Sequence, residues 1–354
     1  MDTVDLTGEI WKEMGLQRML ESLDTMFPDI PLSIDKLLEM LIAGNLQGAL
    51  GELLKVARSI FSINWPGLRQ LFLSLIFMGI VSAVFVRFSD FTPKYRVGEL
   101  CFFFVYLLQA SVLTRCFGYF WRIADTLLDN MVTFIRMLMP FFLLTVSLAT
   151  GTVTAGAGCQ LLLLLVYGIE TIVKEGFLAL ITLFFLFSIL EGLEASERWE
   201  NLLELLRKGT DAGRKAIFAG ASTLGIVQAI LTPAIDGLKG TALERILTSL
   251  PGIGNGAESV MKMLVGSAMV IKNAVGILLS FMLGLLCFMP LVRILTLSVI
   301  LKLTAAIMGL VSDKRLTRAV DRAGETGLLF FRVTGCAMVL FWLAIAATSL
   351  SIRI

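Results

Sequence analysis

The adjacent residues Lys272 and Asn273 are the part of the sequence best suited to chemistry. They lie between two uncharged apolar stretches, residues 264–271 and 274–289. An ammonium group in such a setting must find water, a carboxylate or backbone carbonyls, and an ionisable residue inside a membrane segment is by default a candidate functional site. The alternative is that Lys272 marks the membrane edge and extends its amine to the interface. The sequence leaves both interpretations open.

Residues that turn or bend the chain accompany this pair. A DG pair and a PGIG segment precede Lys272 and are typical of turns, which need no further function. Two prolines follow methionines inside the apolar runs MLMPFFLLTVSL and CFMPLVRILTLS, and each is expected to kink its helix. The two runs resemble each other, and this similarity reflects either a duplicated unit, as in transporters, or chance. The candidate conduit or structural positions are Lys272, Asn273, Asp236, Gly237, Pro251, Gly252, Gly254, Pro140 and Pro290.

Catalytic and metal chemistry find no support in the residue types. The chain has no histidine, so the commonest general base and zinc ligand is missing. The five cysteines lie in or beside apolar runs without CxxC spacing, which favours buried structural thiols. We therefore expect no catalytic, cofactor or metal site and do not expect an enzyme. A net charge of +2, without a basic block interleaved with aromatic residues, also argues against nucleic acid as a partner.

The composition predicts helices that lie in lipid. Hydrophobic residues make up 57% of the chain and charged residues 16%, whereas about 25% of a soluble domain is charged. A charge at the bilayer centre costs about 2.5–3.5 kcal/mol on insertion scales, so charged residues are expected to mark the ends of spans. We predict an all-α fold: a polytopic helical membrane protein with about eight transmembrane helices and a small N-terminal amphipathic helical region.

The predicted spans follow the uncharged stretches. A break is expected in the segment TGTVTAGAG at 150–158, where small residues can relax a helix. The eight spans are predicted at 71–86, 100–114, 130–149, 157–173, 176–190, 273–292, 294–311 and 333–352.

Three segments differ from these spans. Residues 1–66 carry acids and bases at helical spacing and are expected to form an extracytoplasmic amphipathic region, while 67–354 form the multi-pass domain. Within that domain, 191–215 is a charged amphipathic loop with an apolar stripe, expected to form a helix at the interface. Residues 216–235 are uncharged and rich in small side chains, so they span the bilayer, re-enter it or pack between helices.

Basic residues cluster after the first predicted span, within 191–215 and before the last predicted span. Short loops rich in Lys and Arg remain in the cytoplasm. If all three clusters are cytoplasmic, the N-terminal region is extracytoplasmic. The number of crossings between the second and third clusters then fits only if residues 216–235 do not complete a crossing, which favours a re-entrant segment there.

Four segments together are distinctive: FFLLTVSLATGTVTAG after Pro140, residues 236–276, the helix around Pro290 and the basic segment SDKRLTRAVDRAG. In these segments the sequence resembles the stage III sporulation protein AE family of endospore-forming bacteria, and the resemblance is weaker in the remaining apolar stretches. It covers roughly residues 70–350. Its most specific part runs from PGIGN to KNAVG.

This resemblance implies a subunit of a channel-like, secretion-like assembly between mother cell and forespore, located in the mother-cell membrane that engulfs the forespore. Its implied partners are other membrane proteins of the same operon and a forespore protein, and a homo-oligomer is left open. The implied role is support of late forespore gene expression. Family members usually begin with a signal peptide, whose features Met1–Thr7 lacks, so a processed or trimmed N terminus is expected.

Two other functions remain open from the sequence. One is a self-sufficient secondary transporter, favoured by the broken helices, the repeat and Lys272. The other is a non-conducting assembly scaffold, in which Lys272→Leu would be tolerated. Lost sporulation with intact assembly would indicate conduction, whereas lost assembly would indicate scaffolding.

Overall fold

Long helices make up the described part of the protein. A computed structural model describes residues 40, 46–91, 97–150, 165, 167–193, 199–220, 223, 284 and 287–350. Within these ranges every residue is helical except those of the turn at 309–313. The prediction of an all-α fold is therefore confirmed for the described part of the chain.

Six long helices follow one another through the described ranges. Helix α1 is Leu46–Phe91 and α2 is Val97–Thr150. Helix α3 is Tyr167–Leu193, in which a π-helical segment, Ile172–Phe177, precedes the α-helical Leu178–Leu193. Helix α4 is 199–220, α5 is Cys287–Met308, and α6 is Lys314–Leu350.

Among the described residues, 4 helices are long and apolar enough to cross a membrane. They are Leu100–Phe134 within α2, the whole of α3, the whole of α5, and Lys314–Leu343 within α6. Helix α1 contributes a shorter apolar stretch, Arg69–Val84. The other spans of the predicted eight remain predictions.

Several predicted helix ends are wrong, because the helices continue through charged residues. Helix α3 joins residues 167–173 to 176–190, although the sequence predicts that they belong to two separate spans, since Lys174 and Glu175 lie inside its π-helical segment. Helix α5 continues through Arg293, and α6 begins at Lys314 instead of near residue 333. At Lys174 the reason is visible: two carboxylates of α2 neutralise the ammonium group, so the backbone need not leave the helix.

Helix α1 passes without interruption through residue 66, where the sequence predicts a domain boundary. Residues 46–66 therefore extend the helix that carries the first apolar stretch. Residues 1–39 and 41–45 lie outside the described residues, so the N-terminal amphipathic region remains a prediction.

Helix α6 occupies the centre of the described bundle and packs against α2 and α3. The ring of Phe330 lies 5.7 Å from that of Phe117 and 6.1 Å from that of Phe120, both on α2. Phe117 in turn stacks on Phe185 of α3, with ring centroids 4.5 Å apart. Each such pair adds about 0.5–1.5 kcal/mol beyond the burial of its area, so these rings stabilise the junction of three helices.

A tight turn joins α5 to α6. Asp313 caps α6, because its Oδ1 accepts a 2.7 Å hydrogen bond from the backbone N–H of Arg315. Further along α6, a Cβ at Gly327 would collide with Ser298 of α5 and Phe120 of α2. The absence of a side chain at this position lets α2, α5 and α6 approach one another closely.

Candidate functional site

A cluster of charged side chains lies where α3 ends beside α6. Glu191, in the last turn of α3, is 5% exposed. Its Oε1 lies 3.8 Å from Nη1 of Arg318, and its Oε2 lies 3.7 Å from Nε of Arg322. These distances are those of ion pairs without a direct hydrogen bond. Two guanidinium groups therefore compensate one buried carboxylate.

Glu325 extends this cluster to α4. Its Oε2 accepts a 3.2 Å hydrogen bond from Nη1 of Arg322, and its Oε1 lies 2.8 Å from Nη1 of Arg207. A continuous chain of ion pairs, Glu191–Arg322–Glu325–Arg207, thus joins α3, α6 and α4. We call these four residues and Arg318 the ion network.

The sequence of α6 places three members of the ion network on one face. Arg318, Arg322 and Glu325 follow one another at i, i+4 and i+7, which brings their side chains to the same side of a helix. Opposite charges alternate along the chain of ion pairs, so each buried group has a partner. Removing one partner of a buried ion pair typically costs 3–5 kcal/mol, because the remaining charge stays buried and unpaired.

Uncharged side chains of α2 fix the helix ends beside the ion network. The Tyr106 hydroxyl donates a 2.6 Å hydrogen bond to the backbone oxygen of Ile189. The Gln109 amide donates a 2.7 Å hydrogen bond to the backbone oxygen of Leu316. Both side chains are fully buried. Helix α2 thereby holds the end of α3 and the start of α6 in a fixed relation.

A second charged cluster lies nearer the start of α3. Nζ of Lys174 lies 3.1 Å from Oδ1 of Asp125 and also donates to Asp129. Lys174 and Glu191 are about 25 Å apart along α3 at 1.5 Å per residue, close to the roughly 30 Å of a hydrocarbon core. The segment 176–190 between them is uncharged. The two clusters therefore lie at opposite ends of the apolar part of α3.

Further ion pairs connect α6 to α4 and to α5. Asp211 of α4 lies 3.5 Å from Arg332 of α6 and 3.6 Å from Arg214. Lys302 of α5 donates a 2.8 Å hydrogen bond to Asp321 of α6. Charged pairs thus follow α6 from its first turns to Arg332.

The ion network contains none of the positions proposed from the sequence. Seven of these positions lie outside the described residues: Lys272, Asn273, Asp236, Gly237, Pro251, Gly252 and Gly254. Pro140 lies within α2 and Pro290 within α5, and the helix continues through both. Of the candidate re-entrant segment, only residues 216–220 and 223 are described.

The segment 191–215, predicted as a charged amphipathic loop that forms a helix at the interface, is helical at 191–193, where α3 ends, and again from residue 199 onward. Its basic residues do not gather in one place, since Arg207 contacts Glu325 while Arg214 lies beside Cys336, further along α6. The sequence does contain a signal for the ion network, namely the i, i+4, i+7 spacing on α6 and the carboxylate of Glu191 at the end of an apolar run. Within the described ranges, no group of three metal-ligating side chains is close enough to hold a metal ion.

Comparison with known proteins supplies the family. The sequence pattern of Stage III sporulation protein AE matches residues 32–351. The chain belongs to the stage III sporulation protein AE family. A stage III sporulation protein AE of Bacillus subtilis (strain 168) is 22% identical over 276 residues, which are 77% of this chain and 68% of that protein. No solved structure matches the chain.

The family match includes every helix that builds the ion network. It begins at residue 32, well before the position near 70 from which the sequence resemblance was expected. For a stage III sporulation protein AE family member, a role in sporulation follows, and the apolar helices have the length and composition of membrane spans.

Proposed function

We propose that the chain is a multi-pass subunit of a channel-like, secretion-like assembly in the mother-cell membrane around the forespore, and that spore development requires it. Family membership supports the link to sporulation. The apolar helices support a place in the membrane. The partners are proposed to be membrane proteins of the same operon together with a forespore protein.

The ion network is the observation that favours a fixed subunit over a transporter that works alone. Alternating access requires one group of helices to rock against another. Here α6 is tied to α3 through Arg322 and to α4 through Glu325, and it also packs against α2. A rocking movement of α6 would leave buried charges unpaired, which is strongly unfavourable.

We further infer that the bundle end carrying the α5–α6 turn faces the cytoplasm. Four basic residues of α6 lie there, all within its first turns: Lys314, Arg315, Arg318 and Arg322. Gly79 of α1 meets the same turn, since a Cβ at Gly79 would lie 2.9 Å from Cε of Met308. Helix α1 continues beyond it to Phe91. The positive-inside rule favours this orientation, which would leave the N-terminal region extracytoplasmic.

The proposal is tested by isolating the chain from sporulating cells. A tagged copy, purified in mild detergent, should retain the membrane proteins of its own operon, and the same chain alone in lipid vesicles should move no solutes. Solute movement by the isolated chain would support the transporter instead. A chain that purifies without any of these proteins would contradict the proposed assembly.

A non-conducting scaffold is the second candidate, and the rigidity conferred by the ion network favours it as well. Lys272→Leu separates the two functions, with spore formation and assembly measured in the same strain. Lost spore formation with an intact assembly supports conduction. Unchanged spore formation and assembly would remove Lys272 from any conducting path.

A further inference from the structure

Helix α4 carries a stripe of exposed charged residues, which we call the outer stripe: Glu200, Glu204, Lys208 and Lys215. Their spacing of i, i+4, i+8 and i+15 places them on one face of the helix. Glu204 and Lys208 form a 2.8 Å ion pair with side chains 57% and 72% exposed. This face is chemically suited to water.

The opposite face of α4 packs onto α3. The side chains of Leu203 and Thr210 are buried. The Trp199 ring stacks on the Phe187 ring of α3, with centroids 5.3 Å apart. Near the other end of α4, a Cβ at Gly213 would lie 3.0 Å from Cζ of Phe177. Helix α4 therefore runs antiparallel to α3 along the segment between Phe187 and Phe177.

The contacts between α4 and α6 indicate the same direction for α4. Arg207 pairs with Glu325 and Asp211 pairs with Arg332. The Sγ of Cys336 lies 4.0 Å from the backbone oxygen of Arg214. Because the contacts advance together along both helices, α4 runs parallel to α6, from the level of the ion network toward the far end of the bundle.

This course brings the outer stripe alongside the apolar part of α3. That part, 176–190, is uncharged and about 22 Å long at 1.5 Å per residue. Its own exposed side chains, such as Leu183 and Leu186, are suited to lipid. Charged side chains within a membrane face a bundle interior or a water-filled cavity. If α3 crosses the bilayer, the outer stripe cannot face lipid.

We propose that the outer stripe of α4 lines a water-filled recess that opens beside the ion network and extends into the depth of the membrane. The stripe carries two acids and two bases, so the recess suits polar solutes without favouring one sign of charge. This inference rests on α3 crossing the bilayer and is independent of the proposed membership in a sporulation assembly.

Thiol accessibility in sealed membranes tests the recess. The five native cysteines are first replaced, and single cysteines are introduced by Glu204→Cys and Lys208→Cys. The matched controls are Leu183→Cys and Leu186→Cys, which lie at the same level on the exposed face of α3. A charged, membrane-impermeant thiosulfonate should modify positions 204 and 208 at least about tenfold faster than the controls, since the reactive thiolate forms in water.

Two results would overturn the proposal that the outer stripe lines a water-filled recess. If positions 204 and 208 react from neither face of the membrane and only after detergent treatment, lipid or protein covers the stripe, and cysteine cross-linking would identify a covering protein segment. If the controls at 183 and 186 react equally fast, this level of α3 lies outside the bilayer. All variants are compared at equal amounts in the membrane, and Glu204→Gln and Lys208→Gln serve as cysteine-free checks of folding.

Discussion

The hydroxyl of Tyr106 in α2 donates a 2.6 Å hydrogen bond to the backbone oxygen of Ile189 in α3. The tyrosine ring lies directly against Gly192, where a Cβ would come within 2.6 Å of Cε2. This contact fixes the last turn of α3, which carries Glu191. An uncharged side chain of α2 therefore sets the position of a carboxylate in the ion network.

Gly192→Ala should displace the Tyr106 ring and weaken its hydrogen bond. We expect the free energy of unfolding to fall by about 1–3 kcal/mol, the usual cost of overpacking a close contact. Thermal unfolding of the purified protein in detergent measures the change. Gly118→Ala is the control, since a Cβ there has nothing within 4 Å. Equal unfolding midpoints for both variants would contradict the close contact.

Glu191→Gln should leave Arg318 and Arg322 without their shared buried carboxylate. The expected loss of stability is about 1–3 kcal/mol, because Arg322 keeps its hydrogen bond to Glu325 and water screens the half-exposed Arg318. Glu204→Gln is the matched control, since it breaks an exposed pair with Lys208 and should cost no more than about 0.5 kcal/mol. Chemical unfolding in mixed micelles compares them, and similar losses would argue against a buried network.

Exchange of the charges of Lys302 and Asp321 should show whether this ion pair couples α5 to α6. Each single variant, Lys302→Asp or Asp321→Lys, brings like charges together, and the double exchange restores an opposite pair. The side chains are 33% and 46% exposed, so the coupling should be modest, about 0.2–1 kcal/mol. A double-mutant cycle of unfolding free energies measures it. Strict additivity would mean that the two residues do not interact.

Gly327→Ala should force α2, α5 and α6 apart. The new methyl group would collide with Ser298 and Phe120, and we expect a loss of about 1–3 kcal/mol or more. Gly335→Ala, on the same helix, meets no atom within 4 Å and should be tolerated. Yields of monodisperse protein and thermal midpoints measure both variants. A stable Gly327→Ala protein would show that the three helices are less closely packed.

The helical class and the apolar segments were predictable because they depend on composition along the chain. The uncharged segment 176–190 was predicted as a span and lies inside α3. Helix ends are less predictable, because a charged residue does not end a helix when a partner on another helix compensates its charge. Lys174 lies inside a helix because Asp125 and Asp129 neutralise it, and partners on another helix cannot be read from a linear pattern.

The ion network was predictable only in part. Arg318 and Arg322 belong to the basic cluster before the last predicted span, and their spacing with Glu325 indicates one helix face. Their pairing with Glu191 could not be predicted, because it depends on how the end of α3 meets the start of α6. The pair Lys272–Asn273 lies outside the described residues and remains a prediction.

The π-helical segment at Ile172–Phe177 sets the rotational phase of α3. Such a segment holds one residue more than the α-helical turn it replaces, and each residue turns a helix by about 100°. Lys174 lies inside this segment and contacts the aspartates of α2, while Glu191 lies beyond it and contacts the arginines of α6. Deleting one residue from this segment should rotate the part of α3 that follows it by about 100° relative to the part that precedes it. Glu191 would then turn away from the arginines of α6.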